Sequence, residues 1–143
     1  VEQICVAPGR TSLAKDEIIS SFFFPARAKN SGDAYMRFTP RTEMDIAVTG
    51  VAINLTLDDK GVCTAARVAL GAVAPTALLV KAASDALIGT KVDDAAIEKM
   101  VAAARAACKP IDDKRGTKEF RIEVTGVLAR RVALAALARA KAS

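Results

Sequence analysis

The chain has 143 residues, enough for a single domain that buries about two-thirds of the surface its unfolded form exposes. It is 52% hydrophobic, 26% charged and only 4% aromatic, so its core must be built from small aliphatic side chains. The net charge of +5 is spread over 21 basic residues with no run longer than two, which argues against a nucleic-acid surface, and Asp58, Asp59, Lys60 and Arg67 break the longest apolar stretch below the ~18 residues of a membrane span.

In chain order, residues 1–16 carry Pro8 and Gly9 and read as an edge strand or a turn. The apolar run from Ile18 to Pro25 predicts a strand closed by the proline, with Phe22, Phe23 and Phe24 straddling the core and a covering neighbour. Residues 26–40 mix turn formers with an isolated Tyr35-Met36-Arg37-Phe38 cluster and read as the longest loop, where function tends to sit. From Asp45 to Leu57 the β-branched alternation predicts one long strand. Asp58 to Gly61 supply a turn, and a second strand from Val62 to Leu70 completes a hairpin.

Gly71 and Pro75 then turn the chain, and Thr76 is expected to cap a helix on which Leu79, Ala82, Ala83, Ala86 and Leu87 recur at helical spacing before Gly89 ends it. A second helix starts at Asp93-Asp94 and buries Ile97, Met100, Val101, Ala104 and Cys108 before Lys109-Pro110. A third is capped by Thr117, with an apolar stripe of Phe120, Val124, Val127, Leu128, Leu134 and Leu137. Its basic residues Arg130, Arg131, Arg139 and Lys141 lie toward the negative end of the helix dipole. Strands first and helices last imply an α+β fold, with an antiparallel sheet of three or four strands covered on one face by three helices.

The chemistry-bearing residues exclude more than they assign. Without histidine there is no Ser-His-Asp or Cys-His system, and hydrolase readings lose most of their weight. Cys5, Cys63 and Cys108 are odd in number and far apart, which speaks against a disulfide framework or an iron–sulfur cluster and predicts buried thiols in a reducing, cytoplasmic setting. The pairs Asp58-Asp59 and Asp93-Asp94 are explained by a turn and a helix start, and Asp112-Asp113 beside Lys114 and Arg115 predicts loop salt bridges. Arg41, Glu43 and Asp45 alternate before the long strand, where hydrogen bonding at the strand entry is the expected role. GAVAPT, residues 71–76, holds one glycine and is no phosphate cradle, so the corner reads as structural.

Six segments in order, DEIISSFFFP (16–25), AYMRF (34–38), RTEMDIAVTGVAINLTL (41–57), GVCTAARVALGAVAPT (61–76), ALIGTKVDD (86–94) and PIDDKRGTKEFR (110–121), resemble the C-terminal domain of the FAD-binding medium subunit of molybdenum hydroxylases. That is the family of carbon monoxide dehydrogenase and xanthine dehydrogenase. The resemblance implies a domain that forms one side of a flavin site in electron transfer to FAD. Molybdopterin and 2Fe-2S clusters would sit on a large and a small partner subunit. It also implies that the chain, which begins with a valine, is one domain of a longer flavoprotein subunit whose N-terminal region carries the FAD-binding loops, and that the domain is not catalytic alone. By the same resemblance Ile18 and Ile19 lie near the isoalloxazine ring and Arg37 approaches it, with arginine standing where lysine is commoner in the family. The alternative to this reading is a non-catalytic module that docks partner subunits through its helical face or a strand edge.

Overall fold

The computed structural model describes residues 3–143. A small antiparallel ribbon comes first, β1 (Cys5–Ala7) with β2 (Arg10–Thr11). Next come β3 (Ser31–Phe38), β4 (Thr49–Leu57), β5 (Cys63–Gly71) and β6 (Leu78–Leu79), an antiparallel meander in spatial order β3-β4-β5-β6. Three helices complete the chain: α1 (Lys81–Asp85), α2 (Asp94–Ala107) and α3 (Lys118–Lys141). α3 lies across β3 and β4, α1 against β5, and α2 packs on both other helices. The expected helix-covered antiparallel sheet is thus the architecture observed. No described helix is long and apolar enough to cross a membrane.

The hairpin forms because its two strands alternate in phase. Val51, Ile53 and Leu55 of β4 face the helices opposite Leu70, Val68 and Ala66 of β5, and all but Ala66 are fully buried. Each such aliphatic side chain contributes about 1.5–3 kcal/mol on leaving water. The turn is held by Asp58, whose carboxylate accepts from Lys60 N and Val62 N at 2.9 and 2.8 Å, while Gly61 takes φ +77°. Asp93 and Thr117 cap α2 and α3 as their spacing predicts, accepting from Ala96 N at 2.9 Å and Phe120 N at 3.2 Å.

Several expectations fail, each for a tertiary reason. Residues 18–25 form no strand, and the phenylalanines do not straddle the core: Phe23 and Phe24 are 90% and 85% exposed. A strand needs a ladder partner, and among the described residues nothing pairs with this run. Residues 31–38, expected inside a loop, are instead the edge strand β3, paired with β4 along its whole length. Here Gly32 is not a turn former. A Cβ at this position would fall well inside van der Waals contact of the backbone of Ala136 and Ala140, so glycine lets α3 press directly on the strand.

The first helix begins at Lys81 rather than after Thr76, because the edge of β5 captures the preceding residues. Leu78 and Leu79 pair with Leu70 and Ala69, and Val80 N donates to Val68 O at 2.8 Å. Val80 itself offers no side-chain cap; Ser84 Oγ accepts from Val68 N at 3.0 Å and ties the helix to the sheet. The buried stripe of α3 is also not the one expected. Of its six predicted apolar residues only Leu128 is buried; Phe120, Val127 and Leu134 are 43–48% exposed. The face against the sheet is made of Thr125, Ala129, Val132, Ala133, Ala136 and Ala140. Small residues win because they allow the helix to approach the backbone of β3 closely. β4 likewise starts at Thr49, not Asp45, since Asp45 is held by side-chain contacts described below.

Of the thiols, Cys63 and Cys108 are buried as expected and burial pushes both upward from their ordinary value, whereas Cys5 is exposed. The α2–α3 pair carries ion pairs from Arg130 to Asp94 and Glu98 at 3.4 and 3.2 Å, but Arg130 is well exposed and such pairs contribute at most ~1 kcal/mol. Ile97, Met100 and Val101 of α2 are buried in the same apolar core as Leu128, Ala129 and Val132 of α3, and that burial outweighs the ion pairs.

Replacing Gly32 with alanine should therefore destabilise the protein by about 1–3 kcal/mol, because a helix backbone cannot yield as a flexible side chain would. Urea denaturation measures this, and an unchanged midpoint would show that α3 does not rest on β3 as described.

Candidate functional site

Two polar constructions flank the sheet. The first ties the loops together at the N-terminal end of α3. Arg121, 3% exposed, donates from Nη1 to Val48 O at 2.9 Å and from Nη2 to Asp113 Oδ1 at 2.7 Å. Asp113 also accepts from Arg115 N at 2.8 Å, and Arg115 Nε donates to Asp45 Oδ1 at 2.6 Å, with Arg41 Nε 3.5 Å from the second Asp45 oxygen. Behind it, Thr125 Oγ1 donates to Arg121 O at 2.7 Å; its only proton is thereby used, so Thr49 Oγ1 is the donor in the 2.8 Å bond between the two hydroxyls.

These contacts explain the electrostatics. The Arg115 N–H and then the Arg121 guanidinium hold the Asp113 carboxyl below its ordinary value. The Arg115 guanidinium does the same for Asp45, and the carboxylate in turn raises Arg115. The expected loop salt bridges are present, and they reach further than expected. Asp45 joins a loop 70 residues away, which removes it from the ladder, and β4 starts only at Thr49. The network is structural: every charged head is engaged by a partner of opposite sign.

The second construction is the sheet face that the helices leave open. In register across β3, β4 and β5 it presents Asp33, Asn54 and Arg67, then Tyr35, Ala52 and Ala69, then Arg37, Gly50 and Gly71. The middle of the face carries almost no side chain. A cleft of about 540 Å³ lies over the first two rows, walled by β6 and by Cys5 of the N-terminal ribbon, with Thr76 of the Gly71–Thr76 corner in its lining. That corner, expected to be structural alone, therefore contributes a wall, and Thr76 is not a helix cap.

Arg37, singled out from the sequence, sits on this open face one row beyond the cleft and is exposed. Ile18 and Ile19 are 86% and 43% exposed in the irregular segment before β3. The two isoleucines and Arg37 thus lie on different segments, and none of the three lines the cleft. Sequence reasoning missed Asp33, Tyr35, Asn54 and Arg67. The usable signal was the alternate face of β4 and β5, where Ala52, Asn54, Arg67 and Ala69 interleave with buried aliphatics.

Residues 34–136 match the family described as the CO dehydrogenase flavoprotein C-terminal domain. The chain is 35% identical over 131 residues to the carbon monoxide dehydrogenase medium chain of Afipia carboxidovorans, covering 92% of this chain and 45% of that protein. It is 30% identical over 134 residues to a putative xanthine dehydrogenase FAD-binding subunit of Escherichia coli, covering 93% and 46%. Among solved structures, a chain of carbon monoxide dehydrogenase from Hydrogenophaga pseudoflava superposes with a TM-score of 0.90 at 32% identity, covering 96% of this chain and 47% of that one. The chain thus spans slightly under half the length of these relatives.

The salt-bridge network generates a pH prediction. The folded carboxyls of Asp45 and Asp113 lie below their ordinary 3.8, so their stabilisation is complete above that value and is lost as pH falls below it. Urea midpoints should be flat from neutrality to about pH 5 and fall below about pH 4. An Asp45→Asn/Asp113→Asn variant should start less stable and show a shallower fall; an equally steep acid limb would remove these residues as its cause.

Proposed function

The chain belongs to the CO dehydrogenase flavoprotein C-terminal domain family, and we propose that it works as this domain in the FAD-binding subunit of a molybdenum-dependent hydroxylase. On this reading it forms one side of a flavin site, and its partners are a molybdopterin-binding large subunit and an iron–sulfur small subunit. The flavin-binding region would lie outside these 143 residues, in keeping with the share of each relative that the chain spans. The assembly would work in the cytoplasm. The observation that carries the reading is the match over residues 34–136, which includes β3 and its Arg37.

The residues present fit one wall of a flavin site and no more. Arg37 is exposed on the open face of the sheet, and Ile18 and Ile19 offer apolar contact. Glycines at positive φ, Gly9, Gly61, Gly89 and Gly116, each stand alone, so no glycine-rich loop here cradles a phosphate. FAD, when bound, supplies two-electron acceptance. The part of this chain is to shield the ring with Ile18 and Ile19 and to place the Arg37 guanidinium where negative charge develops on reduction.

In the assembled subunit, Arg37→Ala should lower the flavin midpoint potential by about 20 mV or more, the two-electron equivalent of ~1 kcal/mol of lost charge stabilisation, while Arg37→Lys retains most of it. Spectroelectrochemical titration reads this; equal potentials in all three proteins would remove Arg37 from the flavin site.

The exposed Phe22, Phe23 and Phe24 favour a docking role beside the flavin role, because large apolar side chains 56–90% exposed in series mark a covered surface. Phe23→Asp should weaken co-purification with the large and small subunits without lowering the thermal midpoint of the chain itself. Undiminished assembly would exclude this segment from the interface.

A further inference from the structure

Residues 17–28 are the longest described stretch that belongs to no helix, strand or turn. The chain runs through them without a bend, and none of them takes positive φ. Both ends are fastened: Glu17 N donates to Ala14 O at 3.1 Å, Ser31 Oγ donates to Ala28 O at 2.5 Å, and Arg27 pairs with Asp33. Between those ends no backbone hydrogen bond holds residues 18–26 to another described residue. An extended run of this length loses conformational freedom that no ladder among the described residues compensates.

The side chains are those of a strand covered on both faces. Alternation puts Ile18, Phe22 and Phe24 on one side and Ile19 and Phe23 on the other, and all five are 43–90% exposed. Pro25 follows, which closes a ladder because it has no N–H to give. The neighbouring edge strand β3 does not serve as the partner. Phe38 O accepts from Val48 N, so by alternation Asp33 turns its carbonyl away from β4, and there Arg139 Nη1 already donates to it at 2.6 Å. The carbon monoxide dehydrogenase chain of Hydrogenophaga pseudoflava superposes over 96% of this chain, which leaves out about 6 of 143 residues, so at least half of the run from 17 to 28 keeps the path it has in that relative. More than half of that relative lies outside the match. A path kept in both proteins without support from the shared half is supported by the other half.

We propose that residues 18–24 are a β-strand donated to the open edge of a sheet in the part of the subunit outside these 143 residues. The inference rests on the proposed function only in that the chain is one domain of a longer subunit. Main-chain hydrogen bonds hold the strand in place, and the side chains of Ile18, Phe22 and Phe24 cover the core beneath that sheet. Phe23, on the other face, is left to a neighbouring subunit. The partner edge carries unpaired N–H and C=O groups beside large apolar side chains, and the added strand joins the two halves of the subunit.

Hydrogen–deuterium exchange read by mass spectrometry tests this on the 143-residue chain and on the full-length subunit that contains it. Amides of residues 18–24 should exchange at the rate of an unstructured chain in the former and at least about a hundredfold more slowly in the latter, before any partner subunit is added. Ser20→Pro/Ser21→Pro, which removes two donors, should abolish that protection and leave the thermal midpoint of the 143-residue chain within about 2 °C of its unaltered value. Ser20→Thr/Ser21→Thr should keep the protection. The proposal is overturned if these amides exchange freely in the full-length subunit, or if the proline pair leaves them protected. Protection already present in the 143-residue chain would assign the strand to β3 or to a second copy, and protection that needs the large and small subunits would assign it to them; either result overturns the proposal. FAD content is measured in the same samples. Full FAD occupancy with freely exchanging amides rejects the strand alone, and protected amides in a full-length subunit without FAD reject the flavin reading alone.

Discussion

The contact on which the architecture depends is the seating of α3 on the edge strand β3. Gly32 offers no Cβ, Ala34 is 4% exposed, and the facing turns of α3 are Ala133, Ala136 and Ala140, so helix and strand meet nearly backbone to backbone. Close approach of this kind gains dispersion contact and excludes water without bulky side chains, which suits a chain with 4% aromatics. It also has consequences on both sides. On the helix side it leaves the larger apolar residues Phe120, Val127 and Leu134 turned outward; on the sheet side it commits one face of the meander to the core and leaves the other open.

The open face is where chemistry becomes available. A sheet with one buried face alternates, and the outward positions of β3, β4 and β5 are free to carry polar or very small residues without cost to the core. In this chain they carry both, in an arrangement of rows that only register creates. The Arg121–Asp113–Arg115–Asp45 network has a different part: it binds the 39–48 loop to the start of α3 and so holds the end of β3, with Arg37, against the body of the domain. The proposed role as a wall for a flavin held elsewhere agrees with this division, since a wall needs a rigid backing and an accessible surface, and no phosphate cradle of its own.

Legibility in the sequence followed the range of the forces involved. The β4–β5 hairpin, the Asp58–Gly61 turn and the Asp93 and Thr117 caps were readable because each is settled within a few residues, by alternation, by a side-chain oxygen reaching a nearby N–H, or by a glycine at positive φ. Arg37 was singled out only through family resemblance, and the structure places it on the open face. Asp33 and Tyr35 were not readable as site residues, because their partners Asn54 and Arg67 lie 21 and 34 residues away from Asp33 along the chain and are brought together by strand pairing. Thr76 was misread for the same reason: a good cap by identity, it was drawn into a cleft wall when β6 paired with β5.

The amino-acid sequence by itself determined the fold class, the small-residue character of the core, the ends of α2 and α3 and membership of a flavoprotein family, since composition, local hydrogen bonding and segment order are properties of the chain read along its length. Only the tertiary structure decided that residues 31–38 are a strand, that Phe22 to Phe24 stay outside, and which face of α3 is buried. Those outcomes turn on which surfaces can approach most closely, and a glycine under a helix looks identical in sequence to a glycine in a turn until the partner that presses on it is in place.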